Sequence, residues 1–313
     1  MKKFLAIALA ALLLLSSLPV DGEGEKPLNI GALKGPTAMG LVKLMKDSEG
    51  GQDYAFTLAA SPDALLPSLT RGELDLACVP VNLAAILYAN TKGAVRVVNI
   101  NTLGVLYIVE QGETVNSLED LRGRTLYASG KASTPEYALQ HLLNLAKVAE
   151  VDIQWKAEHA EALAALMADK TALAMLPQPF VTVAQGKNPA IRVALDLNAE
   201  WEKLGEGKLI TGVTVARREL IENQPERLAQ FLADYEQSVS FVNENIKEAA
   251  ELIGAYDIIN AQAAEKALPF CSITFIKGRE MADLLIPFYQ VLFDFNPMTT
   301  GGSLPDDAFY YTN

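Results

Sequence analysis

The chain has 313 residues, 50% of them apolar, and a net charge of −12 at pH 7. A chain of this length can bury one large core or two modest ones, and its length favours two domains. The negative charge and the lack of a basic stripe argue against nucleic acid and an anionic membrane surface as partners.

The N-terminus, MKKFLAIALAALLLLSSLPV, has the layout of a secretory signal. Two lysines precede an apolar stretch of about fifteen residues, which is short for a membrane span. We therefore expect residues 1–26 to be a signal segment and spacer. The protein would be exported, to the periplasm or to the outer face of the cytoplasmic membrane. No cysteine follows the apolar run, so no lipid anchor is predicted. Cleavage near residues 18 to 25 and retention as a tether both stay open.

Three predicted strand-to-helix junctions share one chemistry. Each combines a proline with a Ser or Thr hydroxyl, and proline suits the first helical turn because it needs no donor there. The hydroxyl is expected to accept from a free backbone N–H, and bare N–H groups at a helix start also suit an anion. The junctions are Gly35-Pro36-Thr37, Ser61-Pro62-Asp63 and Ser133-Thr134-Pro135.

Two further apolar strands end at proline, at Pro80-Val81-Asn82 and at Pro177-Gln178-Pro179. The order strand, turn, helix, strand leads to each of these two prolines. This repetition indicates that one α/β unit occurs twice in the chain. Strands that alternate with helices predict mostly parallel sheets, which bind ligands at the carboxyl ends of their strands. Because all the junctions lie at such ends, we expect them to converge on one cleft.

The cysteines and histidines indicate neither a disulfide nor a metal site. Cys78 and Cys271 are expected to be buried free thiols, although an oxidising compartment leaves a disulfide open. The two histidines, His141 and His159, have no ligand spacing to a cysteine or to each other. We expect no metal and no cofactor.

Catalytic motifs are sparse. The sequence has no nucleophile elbow, no P-loop and no G-x-G-x-x-G after a strand. Glu158 and His159 would suit an acid/base pair, but an acidic first turn beside a histidine at a helix end explains them equally well. Both interpretations stay open.

Several segments together resemble the solute-binding proteins of ABC transporters. The group includes alkanesulfonate-, taurine- and nitrate-binding proteins and binders of thiamine pyrimidine precursors. The segments include IGALKGPTAMGLVKLM, RGELDLACVPVNLAAILY, LRGRTLYASGKASTPEYAL, MLPQPFVTVA and GGSLPDDAFYY. The resemblance covers the chain after residue 27. It implies an α/β, two-lobed periplasmic-binding-protein fold of type II, with two doubly wound mixed sheets joined by a two-strand hinge.

The resemblance also divides the chain into lobe I, residues 27–102 plus 212–313, and lobe II, residues 103–211. It places the two crossings at 101–105 and 209–215. Small residues there suit a backbone that absorbs lobe rotation, although a glycine in a strand can also mark a bulge. The expected hinge residues are Asn101, Gly104, Thr211 and Gly212. Three later segments, 225–245, 246–257 and 278–295, have helical periodicity and are expected to pack on lobe I.

The function that follows is that of an extracytoplasmic solute-binding protein of an ABC importer. It would be a monomer and not an enzyme, and would deliver a small polar organic solute to a permease and its ATPase. The predicted cleft has no arginine for a sulfonate, and its polar and aromatic groups favour a pyrimidine-like heterocycle. A sulfonate- or nitrate-type anion stays the other option. The expected ligand-binding residues are Lys34, Pro36, Thr37, Ser61, Asn82, Thr102, Gly104, Ser133, Thr134, Glu136, Tyr137, Glu158, His159, Gln178 and Phe180.

An enzyme on the same fold is the alternative function. It would resemble pyrimidine-synthesising or menaquinone-pathway enzymes, with Glu158 and His159 as acid and base. The signal segment argues against this alternative, because those substrates are made and used in the cytoplasm.

Overall fold

The computed structural model describes residues 26–51 and 53–312. The expected signal segment, apart from Lys26, lies outside the described residues. Within the described ranges, no helix has the length and hydropathy to cross a bilayer.

Eleven strands and thirteen α-helices alternate along the described chain. The strands are β1 (Leu28–Leu33), β2 (Tyr54–Ala59), β3 (Leu76–Pro80), β4 (Val95–Leu103), β5 (Leu106–Gln111), β6 (Thr125–Ser129), β7 (Asp152–Lys156), β8 (Leu173–Pro177), β9 (Ile191–Asp196), β10 (Ile210–Arg217) and β11 (Ile273–Lys277). The helices are α1 (Pro36–Met39), α2 (Val42–Asp47), α3 (Pro62–Thr70), α4 (Val81–Asn90), α5 (Thr134–Leu145), α6 (His159–Ala168), α7 (Phe180–Lys187), α8 (Leu197–Lys203), α9 (Arg218–Asn223), α10 (Pro225–Glu244), α11 (Ile246–Ala255), α12 (Ala261–Ala267) and α13 (Gly278–Phe295).

The strands form two mixed sheets, which confirms the predicted two-lobed α/β fold. One has six strands in the order β11-β4-β10-β3-β1-β2, and the other has five in the order β7-β6-β8-β5-β9. We call the parts built on them lobe I and lobe II. The residue boundaries given above for the lobes stay a prediction.

The same strand arrangement occurs in both sheets. In lobe I, β1 pairs in parallel with β2 and β3, and β10 pairs antiparallel with β3. In lobe II, β6 pairs in parallel with β7 and β8, and β5 pairs antiparallel with β8. The central strands β3 and β8 are apolar runs buried at four of five positions, as strands covered on both faces require. The repeated α/β unit is therefore present in the fold.

The chain crosses between the sheets twice. The first crossing is short, since β4 ends at Leu103 and β5 begins at Leu106, whereas the second includes α8 between β9 and β10. Thr211 and Gly212 lie in β10, where the pairing with β4 shifts register on both sides of Gly212. The glycine therefore marks an irregular part of the strand.

The lobes also touch beside the crossings. The Trp201 ring of α8 is fully buried and lies 5.8 Å from the Phe288 ring of α13, centroid to centroid. Elsewhere the Tyr107 hydroxyl donates a hydrogen bond of 3.5 Å to the Phe270 carbonyl. Side chains of lobe II thus contact the C-terminal part of the chain.

The three helices expected after residue 215 are confirmed as α10, α11 and α13. In α10 the buried residues Leu228, Phe231, Leu232 and Tyr235 recur at spacings of three and four, which places them on one face. Three other elements after β10 were not predicted from the sequence: the short helices α9 and α12 and the strand β11. Both expected free thiols are confirmed, because Cys78 and Cys271 are buried and unpaired.

Candidate functional site

One buried contact joins the turns of the two lobes. Asn82, in the first turn of α4 after β3, lies in lobe I, and Thr134, the first residue of α5 after β6, lies in lobe II. Asn82 Oδ1 accepts hydrogen bonds from Thr134 N at 3.2 Å and from Thr134 Oγ1 at 2.9 Å. Asn82 is 0% exposed and Thr134 is 1% exposed. The carboxyl ends of β3 and β6 therefore meet where the lobes face each other.

The local cap that the sequence predicted at α5 is wrong. Ser133 is the N-cap residue, but its hydroxyl donates to the Gly130 carbonyl at 2.7 Å instead of accepting from the helix. Pro135 at the second helical position has no N–H, and the Glu136 N–H already donates to the Ser133 carbonyl. The Thr134 N–H is left for an acceptor from outside, which is Asn82 of the other lobe. No side-chain cap bond forms at Ser61 before α3 either.

The turn before α5 is held by its own helix. The Glu136 carboxylate accepts from the Ala132 N–H at 2.6 Å and from Gln140 Nε2 at 3.1 Å. Lys131 in the same turn is exposed, and neither its backbone N–H nor its ammonium has a partner in the described chain. The turn therefore presents a cation, while the nearby carboxylate is already bonded.

Ser129, His159 and Phe180 form a second cluster, within lobe II. Ser129 Oγ lies within hydrogen-bond distance of His159 Nδ1, and the His159 and Phe180 rings are 5.0 Å apart between centroids. These residues belong to the ends of β6, β7 and β8 or to the helices that follow. Burial lowers the pKa of His159 to about 4. The imidazole is therefore neutral near pH 7 and acts through hydrogen bonds instead of charge.

A third cluster lies at the crossing strands. A β-carbon on Gly212 would come within 2.5 Å of Asn101 Oδ1 and 2.8 Å of Thr37 Cγ2, so these side chains close around the glycine. Asn101 Nδ2 donates to Thr214 Oγ1 at 3.1 Å, and Thr102 Oγ1 donates to Asn101 Oδ1 at 2.9 Å. The predicted site residues Thr37 and Thr102 thus lie beside predicted hinge residues.

Gln178 is buried, and its side chain bonds to the first turn of the helix that follows it. Its Oε1 accepts from the Thr182 N–H at 3.3 Å and from Thr182 Oγ1 at 2.9 Å, while its own N–H donates to the Val105 carbonyl at 2.9 Å. The residue therefore connects the end of β8 with the first crossing.

The remaining predicted site residues are not joined to these clusters by hydrogen bonds. Lys34 forms an ion pair of 2.8 Å with Asp257. The Ser61 side chain has no hydrogen-bond partner in residues 26–51 and 53–312. The Glu158 carboxylate is exposed and makes no bond to His159. Pro36 begins α1, and Tyr137 packs on the apolar core, where burial raises its pKa.

Two features of the site were missed from the sequence. Ser129 was not among the predicted site residues, yet it is the hydrogen-bond partner of His159. Asn198 was not singled out, yet a β-carbon on Gly104 would lie 1.6 Å from Asn198 Oδ1. Ser129 ends β6, which pairs in parallel with β7, and His159 follows β7. The parallel pairing of β6 and β7 is therefore the signal that could have predicted the contact between Ser129 and His159.

The arrangement provides hydrogen-bond donors and a neutral imidazole rather than a metal site. Among the described residues, no group of three or more His, Cys, Asp or Glu side chains is placed to hold a metal ion.

The chain is similar to a known protein family and to several solved structures. Residues 41–267 match the model of a family described as "ABC transporter, phosphonate, periplasmic substrate-binding protein". Among curated proteins no match was found.

Similar solved structures share the fold. An ABC transporter protein from Parabacteroides distasonis is 22% identical, with a TM-score of 0.78 over 92% of this chain and 99% of that one. The periplasmic aliphatic sulphonate binding protein SsuA from Escherichia coli is 19% identical, with a TM-score of 0.70 over 88% and 89%. The alkanesulfonate-binding protein SsuA from Xanthomonas axonopodis pv. citri, bound to MOPS, is 16% identical, with a TM-score of 0.68 over 90% and 96%. These similarities confirm the type II periplasmic-binding fold.

Proposed function

Since the chain belongs to the family of periplasmic substrate-binding proteins of phosphonate ABC transporters, we propose that it captures a small organic oxyanion between its lobes. The solute would be of the phosphonate or sulfonate type, and the protein would deliver it to an ABC permease. Membership of this family implies that the protein is located outside the cytoplasm. We further propose export directed by residues 1–26, to the periplasm or the outer face of the membrane, and a monomer that serves a permease and its ATPase.

The contact between Asn82 and Thr134 is the observation that carries this proposal. It brings a turn after a lobe I strand against the start of a lobe II helix of 12 residues. Ligands of open α/β sheets bind outside the carboxyl ends of the strands. A solute between the lobes would therefore meet polar groups from both sheets.

The groups in this region favour a solute that is rich in acceptors. Lys131 is a cation without a partner in the described chain, and His159 is neutral at pH 7 and able to donate one N–H. The carboxylate of Glu136 is already bonded within its own helix. Three oxygens on a phosphonate or sulfonate accept from such donors. The proposed site comprises Thr37, Asn82, Thr102, Lys131, Ser133, Thr134, His159, Gln178 and Phe180.

A pyrimidine-like heterocycle is the second candidate solute. The neighbouring rings of His159 and Phe180, 5.0 Å apart, favour it, because such rings offer apolar faces to a flat ligand. The same rings would also contact the organic part of a phosphonate, so they do not separate the two classes.

We propose binding and not catalysis. Ser129 is 2% exposed and therefore poorly placed as a nucleophile. Glu158 is exposed and not bonded to His159, so the acid/base pair of the enzyme alternative is not preassembled. A solute-binding protein needs only reversible hydrogen bonds to its solute, and the side chains of the proposed site can form such bonds.

The crossing strands are the proposed hinge. Gly104 lies between β4 and β5, and Thr211 and Gly212 lie in the irregular part of β10. Rotation of lobe II, residues 103–211, about these positions would open the cleft and admit the solute.

Titration calorimetry of the mature protein with a solute panel tests the proposal. The panel contains methylphosphonate, phenylphosphonate, ethanesulfonate, inorganic phosphate and a methylated aminopyrimidine. We expect one of the organic oxyanions to bind most tightly. Tight binding of the pyrimidine, with no heat from the oxyanions, would establish the second candidate instead.

A further inference from the structure

Asn82 holds a buried donor that nothing in the described chain satisfies. Its Oδ1 is bonded to Thr134, whereas its Nδ2 has no hydrogen-bond partner although the side chain is completely buried. Buried amide groups in native proteins are nearly always paired, and leaving one unpaired is costly. The free end of this amide therefore lacks an acceptor.

Thr134 fixes which end of the amide is free. The oxygen and nitrogen of an Asn side chain are assigned from the groups around them. The Thr134 N–H is a donor only, and it lies 3.2 Å from the amide atom that must therefore be oxygen. The Thr134 hydroxyl then donates to the same oxygen at 2.9 Å. The NH₂ group of Asn82 is consequently directed away from the start of α5.

We propose that Asn82 is a solute-contacting residue of lobe I, and that its Nδ2 donates a hydrogen bond to an oxygen of the bound oxyanion. The inference rests on the proposed function. Thr134 is the positioning residue, because it turns the donor end of the amide towards the solute. A solute acceptor would complete the hydrogen bonding of this group, which no residue of the described chain satisfies.

The same contact couples solute capture to lobe closure. Asn82 is 0% exposed, so a solute reaches its Nδ2 only when the lobes separate. Separation breaks the bonds to Thr134, and closure restores them with the NH₂ group already oriented. Asn82 therefore selects for acceptors only in the closed protein, where water is excluded and an unmatched donor is costly.

Two substitutions at position 82 test the proposal, with methylphosphonate and ethanesulfonate as probes in calorimetry. Asn82→Asp keeps an oxygen acceptor for Thr134 but replaces the donor by a negative oxygen. Asn82→Ala removes the donor without adding charge. If the Asn82→Asp protein does not fold, the Asn82→Ala protein alone tests the proposal. Asn90→Asp is the matched control, because it makes the same charge change at an exposed position at the far end of α4.

We expect Asn82→Ala to weaken binding of the better probe about tenfold or more, and Asn82→Asp to weaken it further through repulsion. The Asn90→Asp protein should bind as the wild type does. Unchanged affinity of both position-82 variants would overturn the inference alone. Tighter binding by the Asn82→Ala protein would also overturn it. Asn82 would then compete with the solute for the donor groups at the start of α5. Failure of the wild type to bind either probe would overturn the inference together with the proposed solute class.

Discussion

Ser129 Oγ, at the end of β6, lies within hydrogen-bond distance of His159 Nδ1, at the start of α6. The bond fixes the imidazole ring between a buried hydroxyl and the Phe180 ring. Because burial keeps this histidine neutral, its protonation opposes the folded state.

The pH dependence of stability should therefore change when His159 is replaced. The pKa falls from an ordinary value of 6.5 to about 4 in the folded protein. Between these values the unfolded chain binds a proton that the folded protein does not, so this contribution is fully present above pH 6.5 and is lost as the pH falls towards 4. From pH 7 to pH 5, wild type should lose up to about 2 kcal/mol more unfolding free energy than His159→Gln. Urea titrations at the two pH values measure this difference, and parallel losses in both proteins would contradict it.

Gly104→Ala should destabilise the first crossing. The new β-carbon would lie 1.6 Å from Asn198 Oδ1 and 2.3 Å from Asn198 Cγ, so one side chain must move. We expect a loss of about 1–3 kcal/mol in unfolding free energy, as for other overpacked sites. Adding Asn198→Ala should recover part of the loss, because it removes the clashing atoms. Equal unfolding free energies of Gly104→Ala and wild type in urea would show that the contact is not rigid.

Thr134→Val should weaken the contact between the lobes without changing the volume of the side chain much. It removes the hydroxyl that donates to Asn82 Oδ1 at 2.9 Å and keeps the backbone bond. We expect about 1 kcal/mol of lost stability, with Thr134→Ser close to wild type. Thermal or urea unfolding of the two variants measures this, and a Thr134→Val protein as stable as wild type would show that the hydroxyl bond contributes nothing.

The Phe180→Ala variant should show whether Phe180 contacts the organic part of the solute and not its oxyanion. Phe180 contacts the His159 ring and has no polar atom to offer an oxyanion. Affinity for phenylphosphonate should fall more than affinity for methylphosphonate, since only the larger solute has a ring to pack there. Calorimetry with both solutes measures the two ratios, and an equal fall for both would place the organic group elsewhere.

The sequence predicted the elements that local signals specify. Alternating strands and helices, apolar runs that end at Pro80 and Pro177, and helices such as Pro225–Glu244 follow from periodicity and from proline. The short strand Ile273–Lys277 was missed. It is an edge strand whose pairing with β4 is interrupted by a register shift. Its partner lies far away in the sequence, so no local pattern marks it.

The site was harder to predict because its contacts join distant segments. A Ser or Thr hydroxyl at the start of α5 was expected to cap its own helix, yet Thr134 donates to Asn82, 52 residues away in the other lobe. Glu158 was paired with His159 by adjacency, whereas the histidine contacts Ser129, 30 residues earlier. The residue types at the strand ends indicate a cleft. Which of these residues contact each other depends on how the two sheets are placed relative to one another, and the sequence does not show this.

A crystal structure of the protein with the tightest-binding organic oxyanion is the most direct test of the account. We expect the oxyanion between the lobes, with hydrogen bonds from both sheets that include Asn82 Nδ2 and groups of the turn from Lys131 to Thr134. An oxyanion bound on the outer face of a single lobe, with the contact between Asn82 and Thr134 unchanged, would contradict it.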